Sequence, residues 1–184
     1  MNLANIILFL GAAFNFGSFI RAAFTFFEFK DPPTRQVKIL SGLTLASQAA
    51  ILLATLFGRV EWDLFFFIGM AIILLSSTLF WWCIQVNSEK KLTAAYDSNS
   101  PEHLMKKGPY ALIRHPFYTS YMLTYIGGAL GSKLWWALIP VIIPIFVYYH
   151  ASNFEERKFS QSGLHQAYLE YKKQAGRFLP RLFR

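Results

Sequence analysis

The sequence predicts an all-α integral membrane protein with five transmembrane helices, the last two folded into a short hairpin, and a polar pocket on the cytoplasmic face. Three observations lead there. Of 184 residues, 54% are hydrophobic and 18% aromatic, with 19 Phe, more apolar surface than a soluble domain of this size can hide. Three apolar runs are each close to the ~20 residues that cross ~30 Å of hydrocarbon. The positive charge is gathered in the segments between apolar runs, as in membrane proteins, and is not spread over a soluble surface as nucleic-acid binding requires.

The first run covers residues 3–27. It lacks a basic leader and a small-residue cleavage site, so it is expected to be a retained span and not a signal peptide. Asn15 and Arg21 lie within it, and Arg21 is close enough to the inner boundary to snorkel. The second run, 37–57, carries Gly42, Ala46 and Ala50 at four-residue spacing, a stripe that predicts close approach of a neighbouring helix. Gln48 in the same run suits a helix–helix hydrogen bond. The third run, 64–86, is bracketed by Trp62 and by Trp81 and Trp82, the interfacial positions favoured by indole rings.

A hydrophilic insertion follows over 87–116, with Asp97-Ser98-Asn99-Ser100-Pro101 as a turn-forming linker. Apolar residues 117–130 and 134–150 are separated only by Gly131-Ser132-Lys133, which predicts a hairpin of two short helices. Pro140 and Pro144 are expected to kink the second arm. Gly127, Gly128 and Gly131 argue for close helix packing, since no strand precedes them to make a dinucleotide-binding turn. The chain thus divides into three N-terminal helices, 1–86, and a functional region, 87–184, made of the insertion, the hairpin 117–150 and a polar tail from 151.

Charge sets the expected orientation. With the N-terminus outside and the C-terminus cytoplasmic, sixteen of the eighteen Lys and Arg fall on or near the inner side, and only Arg59 and Lys133 face outward.

Both chemically rich clusters then lie on the inner face. The first is Gly108-Pro109-Tyr110-Ala111-Leu112-Ile113-Arg114-His115-Pro116-Phe117-Tyr118. Pro116 suits the first turn of a helix, whose free N–H groups together with Arg114 make an anion-binding corner. The second is Glu155-Glu156-Arg157-Lys158. Carboxylates after an apolar helix are poor neighbours for its C-terminal dipole unless a cation or a cationic ligand meets them. Together the clusters suit a small zwitterionic ligand.

Other chemistry classes find no support. Cys83 is the single cysteine, and it excludes an intramolecular disulfide or a cysteine metal cluster. His103, His150 and His165 lack ligand spacing, so no metal site is expected. No Ser/His/Asp set has a hydrolase context. The tail motif Tyr168-x-x-Tyr171-Lys172-Lys173, followed by Arg177-Phe178-Leu179-Pro180-Arg181, places aromatics on one face of a short helix that packs on, or caps, the site.

The pattern G-P-Y-x-x-x-R-H-P-x-Y, then E-E-R about forty residues later and the Y-x-x-Y-K-K tail, resembles the isoprenylcysteine carboxyl methyltransferase family over roughly residues 102–181. The related phospholipid methyltransferases share the R-H-P-x-Y and E-E elements. The resemblance implies a prokaryotic-type membrane methyltransferase that uses S-adenosylmethionine and a lipophilic or prenylated substrate entering from the bilayer, with no nucleic acid involved. It implies a cofactor pocket formed by Leu104, Met105, Lys106, Lys107, Gly108, Tyr110, Arg114, His115, Pro116, Tyr118, Glu155 and Glu156, with Arg114, His115, Glu155 and Glu156 as the catalytic set. Eukaryotic prenylcysteine methyltransferases carry an Arg one turn before the Glu pair. Here that position is Ala151, which leans away from a prenylcysteine carboxylate, although Arg21, Lys90 or Arg157 could supply charge. An NADPH-dependent sterol-type reductase shares R-H-P-x-Y but has an Arg-Asp style pair in its tail. A non-enzymatic membrane scaffold would leave both polar clusters without a purpose.

Overall fold

The computed structural model describes residues 2–28, 32, 34–87, 92–93 and 103–181; the linker 97–101 and Lys90 lie outside them. The regular structure of the described chain is helical apart from a two-residue parallel pairing, Phe27–Glu28 with Leu92–Thr93, and one isolated bridge. Six helices follow in order: α1 (Leu3–Thr25), α2 (Arg35–Phe57), α3 (Leu64–Val86), α4 (Pro116–Ser132), α5 (Ile139–Ser160) and α6 (His165–Gln174).

Polar residues set the helix starts. Asn2 accepts from the Asn5 amide at 2.9 Å in a capping box, and Asp63 accepts from the Phe66 amide at 3.1 Å. Asn5 also closes the far end of α2, donating to the carbonyls of Thr55 (3.0 Å), Leu56 (3.2 Å) and Gly58 (3.0 Å). At the same end of the molecule, Lys133 ends α4 with φ 53° and places its Nζ 2.7 Å from both Glu61 and Asp63.

Four helical segments are long and apolar enough to cross a membrane: Leu3–Thr25, Val37–Phe57, Leu64–Val86 and Trp135–Ser160. The protein is therefore read as an integral membrane protein. The fifth expected span, α4, has 17 residues, about 26 Å at 1.5 Å per residue. It is mostly buried, and it packs chiefly on α3.

The α3–α4 contact is made backbone to backbone. A Cβ on Gly69 would stand 2.6 Å from the Gly127 carbonyl oxygen, and one on Gly127 would stand 2.7 Å from the Gly69 oxygen. Around this crossing, Leu8, Phe16, Phe19, Ile73, Phe80, Phe117 and Tyr125 form the core. A polar network runs through it. Asn15 donates to Thr124 Oγ1 (2.9 Å) and the Ile73 carbonyl (3.0 Å) and accepts from Ser77, while Ser76 meets Thr124 (2.7 Å) and the Ser120 carbonyl (2.6 Å). Each added hydrogen bond satisfies a group that has no water to turn to.

Three sequence expectations change. A Cβ on Gly42 would meet nothing within 4 Å and Ala46 is exposed, so only Ala50 of the second-run stripe is even half-buried. Pro140 lies in the first turn of α5, where a missing N–H breaks no bond, and only Pro144 is interior. The second hairpin arm does not end at 150. A 3₁₀ turn, Trp135–Leu138, leads into α5, which continues to Ser160 and carries Glu155 and Glu156 in its last two turns.

Candidate active site

The first cluster folds as a tight, non-helical ledge between α3 and α4. Gly108 has φ +58°, and a Cβ there would lie 2.6 Å from Val86 Cγ2. A single 3₁₀ turn, Gly108–Ala111, follows with Pro109 buried in it. Asn87, which ends α3, donates to the Tyr110 hydroxyl at 3.2 Å. Residues 112–115 then pair with the tail: the Gly176 amide donates to Leu112 (3.1 Å), Arg114 to Gly176 (2.8 Å) and His115 to Arg177 (3.1 Å). Pro116 opens α4 as the sequence predicts.

Glu156 is the centre of the site. It is 5% exposed and gathers four cationic side chains: Arg114 at 2.9 Å, His115 at 3.3 Å, Lys172 at 3.1 Å and Arg177 at 3.2 Å. Arg114 donates to Glu156 through both Nε and Nη2, and its Nη1 donates to the Ala175 carbonyl. This buried guanidinium faces the protein and does not reach outward as an anion-binding corner.

Glu155 has a different environment. Its side chain is 32% exposed, it accepts from the Tyr118 hydroxyl, and its Oε2 lies 3.3 Å from His115 Nδ1. His115 thus bridges the two carboxylates, one on each ring nitrogen. Burial alone would lower its pKa, but its hydrogen bonds to Glu155 and Glu156, reinforced by their charges, raise it above the ordinary histidine value. The His115 ring stacks on Tyr118 (5.6 Å, 10°), and Tyr118 stacks on Tyr148 (5.1 Å, 13°).

The helix α6 forms the opposite wall. The Tyr171 hydroxyl donates to the Tyr110 carbonyl at 2.6 Å, and burial pushes its pKa up to about 12. Tyr168 stacks on Phe159 at 4.7 Å, and Leu104 packs against this pair of tyrosines. The Tyr168 hydroxyl is buried beside Arg114 and Glu156, yet no hydrogen bond to it forms among the described residues. A cleft of about 480 Å³ opens between Lys106, Ala111, Tyr171 and Gln174. Lys106 Nζ lies 5.9 Å from the Tyr171 ring.

Tyr110, Arg114, His115, Pro116, Tyr118, Glu155 and Glu156 are therefore held in one cluster. Leu104 and Lys106 line its α6 side, Met105 is half-buried and Lys107 exposed beside them, and Gly108 shapes the ledge. Sequence reasoning gave no role to Arg177 or Asn153, nor an ion-pair role to Lys172. The absence of Lys and Arg from 134 to 156, beside two carboxylates, was the signal that a cation had to come from elsewhere.

A family model described as phospholipid methyltransferase matches residues 64–166, from the start of α3 to the first turn of α6. No curated protein sequence matches the chain.

Proposed function

The chain belongs to the phospholipid methyltransferase family, and from that premise we propose that it is an S-adenosylmethionine-dependent enzyme methylating a lipid or isoprenoid-tailed acceptor. The observation that carries this reading is the unequal pair of carboxylates. Glu156 is neutralised by Arg114, His115, Lys172 and Arg177, whereas Glu155 stays one-third open.

The residues present fit the cofactor. Glu155 can accept from its ammonium or ribose hydroxyls, and Lys106 lines the cleft with charge for its carboxylate. Tyr110, Tyr118 and Tyr171 offer aromatic faces, while Leu104, Met105, Lys107 and Gly108 form the ledge beneath. Arg114, Pro116 and Glu156 position this set. In this reading all five long helices, α4 included, cross a prokaryotic cytoplasmic membrane, with the N-terminus outside and the pocket facing the cytoplasm.

When bound, S-adenosylmethionine supplies an electrophilic methyl group on a sulfonium, and that sulfur leaves as a neutral thioether. The chain's task is alignment and exclusion of water. An acceptor that is already anionic needs no base. An amine acceptor must lose a proton, and Glu155, with its side chain one-third exposed, is the available carboxylate.

The test is incubation of the purified protein with methyl-labelled S-adenosylmethionine and fractionated membrane lipids or prenylated thiols. Label should extract with an apolar-tailed product. Label found only in water-soluble compounds overturns the reading.

A further inference from the structure

On α5, Ile139, Ile142, Phe146, Tyr149, His150 and Asn153 recur every three or four residues and share one face. Ile142 is 65% exposed, Phe146 59% and Tyr149 49%. The face is apolar at its start and polar at its end. From Ile142 to Asn153 the helix rises about 16 Å, roughly the hydrocarbon depth of one leaflet.

Arg177 lies across the polar end. Its guanidinium stands 5.1 Å from the Tyr149 ring centroid, and it donates through Nη1 to Asn153 (2.6 Å) and Ser152 (3.5 Å) and through Nη2 to Glu156 (3.2 Å). Among the described residues these bonds use three of its five N–H groups, leaving Nε–H and one Nη2–H. Its side chain is 24% exposed. Lys158 lies one turn on, its Nζ 5.9 Å from the Phe154 ring.

Charge is in surplus here. Arg114, Lys172 and Arg177 outnumber the two carboxylates of the cluster, Glu155 and Glu156. Of the three permanent cations, Arg177 and Lys172 are the ones open to solvent, and only Arg177 borders the bare stripe. A guanidinium with two free donors matches two oxygens of a phosphate ester. The apolar stripe leading to it selects a lipid over a free phosphate.

We propose that this face of α5 binds one lipid with an anionic phosphate headgroup, the phosphate on Arg177 and an acyl chain along Phe146 and Ile142. The site is distinct from the reaction centre, because Glu155 projects from the opposite side of α5, toward Tyr118. It is coupled to that centre through Arg177, which also holds Glu156 and whose carbonyl accepts from the His115 amide at 3.1 Å. Anionic lipid in the surrounding leaflet thereby fixes the tail that completes the pocket.

The test uses the full chain in dodecyl maltoside, follows thermal unfolding, and needs no turnover, so it stands or falls apart from the methyl-transfer reading. Phosphatidylglycerol at ten times its Kd should raise Tm by about 4 °C, and diacylglycerol or inorganic phosphate should not. Arg177→Gln should weaken phosphatidylglycerol binding about tenfold or more, cutting the shift at the same lipid concentration to about 1 °C or less, Arg177→Lys should retain part of it, and Lys173→Gln should retain all. An equal shift from diacylglycerol or from inorganic phosphate overturns the site, as does a full shift in Arg177→Gln. If Arg177→Gln does not fold, Phe146→Ala must weaken the lipid effect, and an unchanged effect there overturns it equally.

Discussion

Replacing Glu156 with Gln keeps the shape of the side chain and removes the one charge around which the site is organised. The cost can be divided among its partners. Arg114 and Glu156 have side chains only 7% and 6% exposed, and breaking such a buried pair from one side costs about 3–5 kcal/mol. Lys172 is 46% exposed, so its share is about 1 kcal/mol or less. The sum is dominated by Arg114, left buried without its counter-ion. For a chain of this length about 4 kcal/mol corresponds to a fall in Tm of roughly 10 °C. The single Cys83 is buried, so a thiol-reactive fluorophore reports unfolding without any introduced label. Lys172→Ala, measured in parallel, should lower Tm by no more than about 4 °C. A Glu156→Gln variant that melts no lower than Lys172→Ala would show that the buried pair is not what holds the ledge to α5.

Gly108→Ala should cost about 1–3 kcal/mol, since it forces a Cβ into the left-handed region and to within 2.6 Å of Val86, and calorimetric titration should show S-adenosylmethionine affinity lost. The folded-state pKa of His115 is raised above its unfolded value of about 6.5, so its contribution is complete below that pH and disappears as pH climbs through the raised value. As pH rises above 6.5, Tm of the wild type should therefore fall more than that of His115→Asn; parallel profiles would remove His115 from the network. Deleting residues 175–184 should abolish cofactor binding while circular dichroism retains the helical signal of the membrane core, because the deletion removes the backbone partners of 112–115 and no part of α1–α5.

Hydropathy located the membrane helices to within a few residues, because in lipid the apolar run and the helix have the same physical cause. The third helix coincides with its run, 64–86, and the first two differ by two residues at one end. The agreement fails at α5, where the apolar run stops near 150 and the helix does not. Beyond that point the helix is maintained by partners: Glu156 by its cations, and Ser160 by its own hydrogen bond to the Glu156 carbonyl at 3.1 Å. That the R-H-P segment and the Glu pair form one candidate site was legible from residue type and position, and the structure brings them together. Their division of labour was not, because it depends on residues 175–177 returning across some sixty residues to pair with 112–115. The small-residue stripe misled for a related reason. Gly42 and Gly69 look alike in sequence, and only the neighbour each meets separates an exposed glycine from one at a helix crossing.

The pairing between residues 112–115 and 175–177 also bears on biogenesis. During synthesis the strand-like segment after α6 emerges only after α1–α6 have been made. Until then Arg114 and His115 are already threaded at the boundary, but the peptide groups that fix their orientation do not yet exist. Each nascent chain therefore passes through a stage in which helices α1–α5 are made and the 112–115 ledge still lacks its backbone partners.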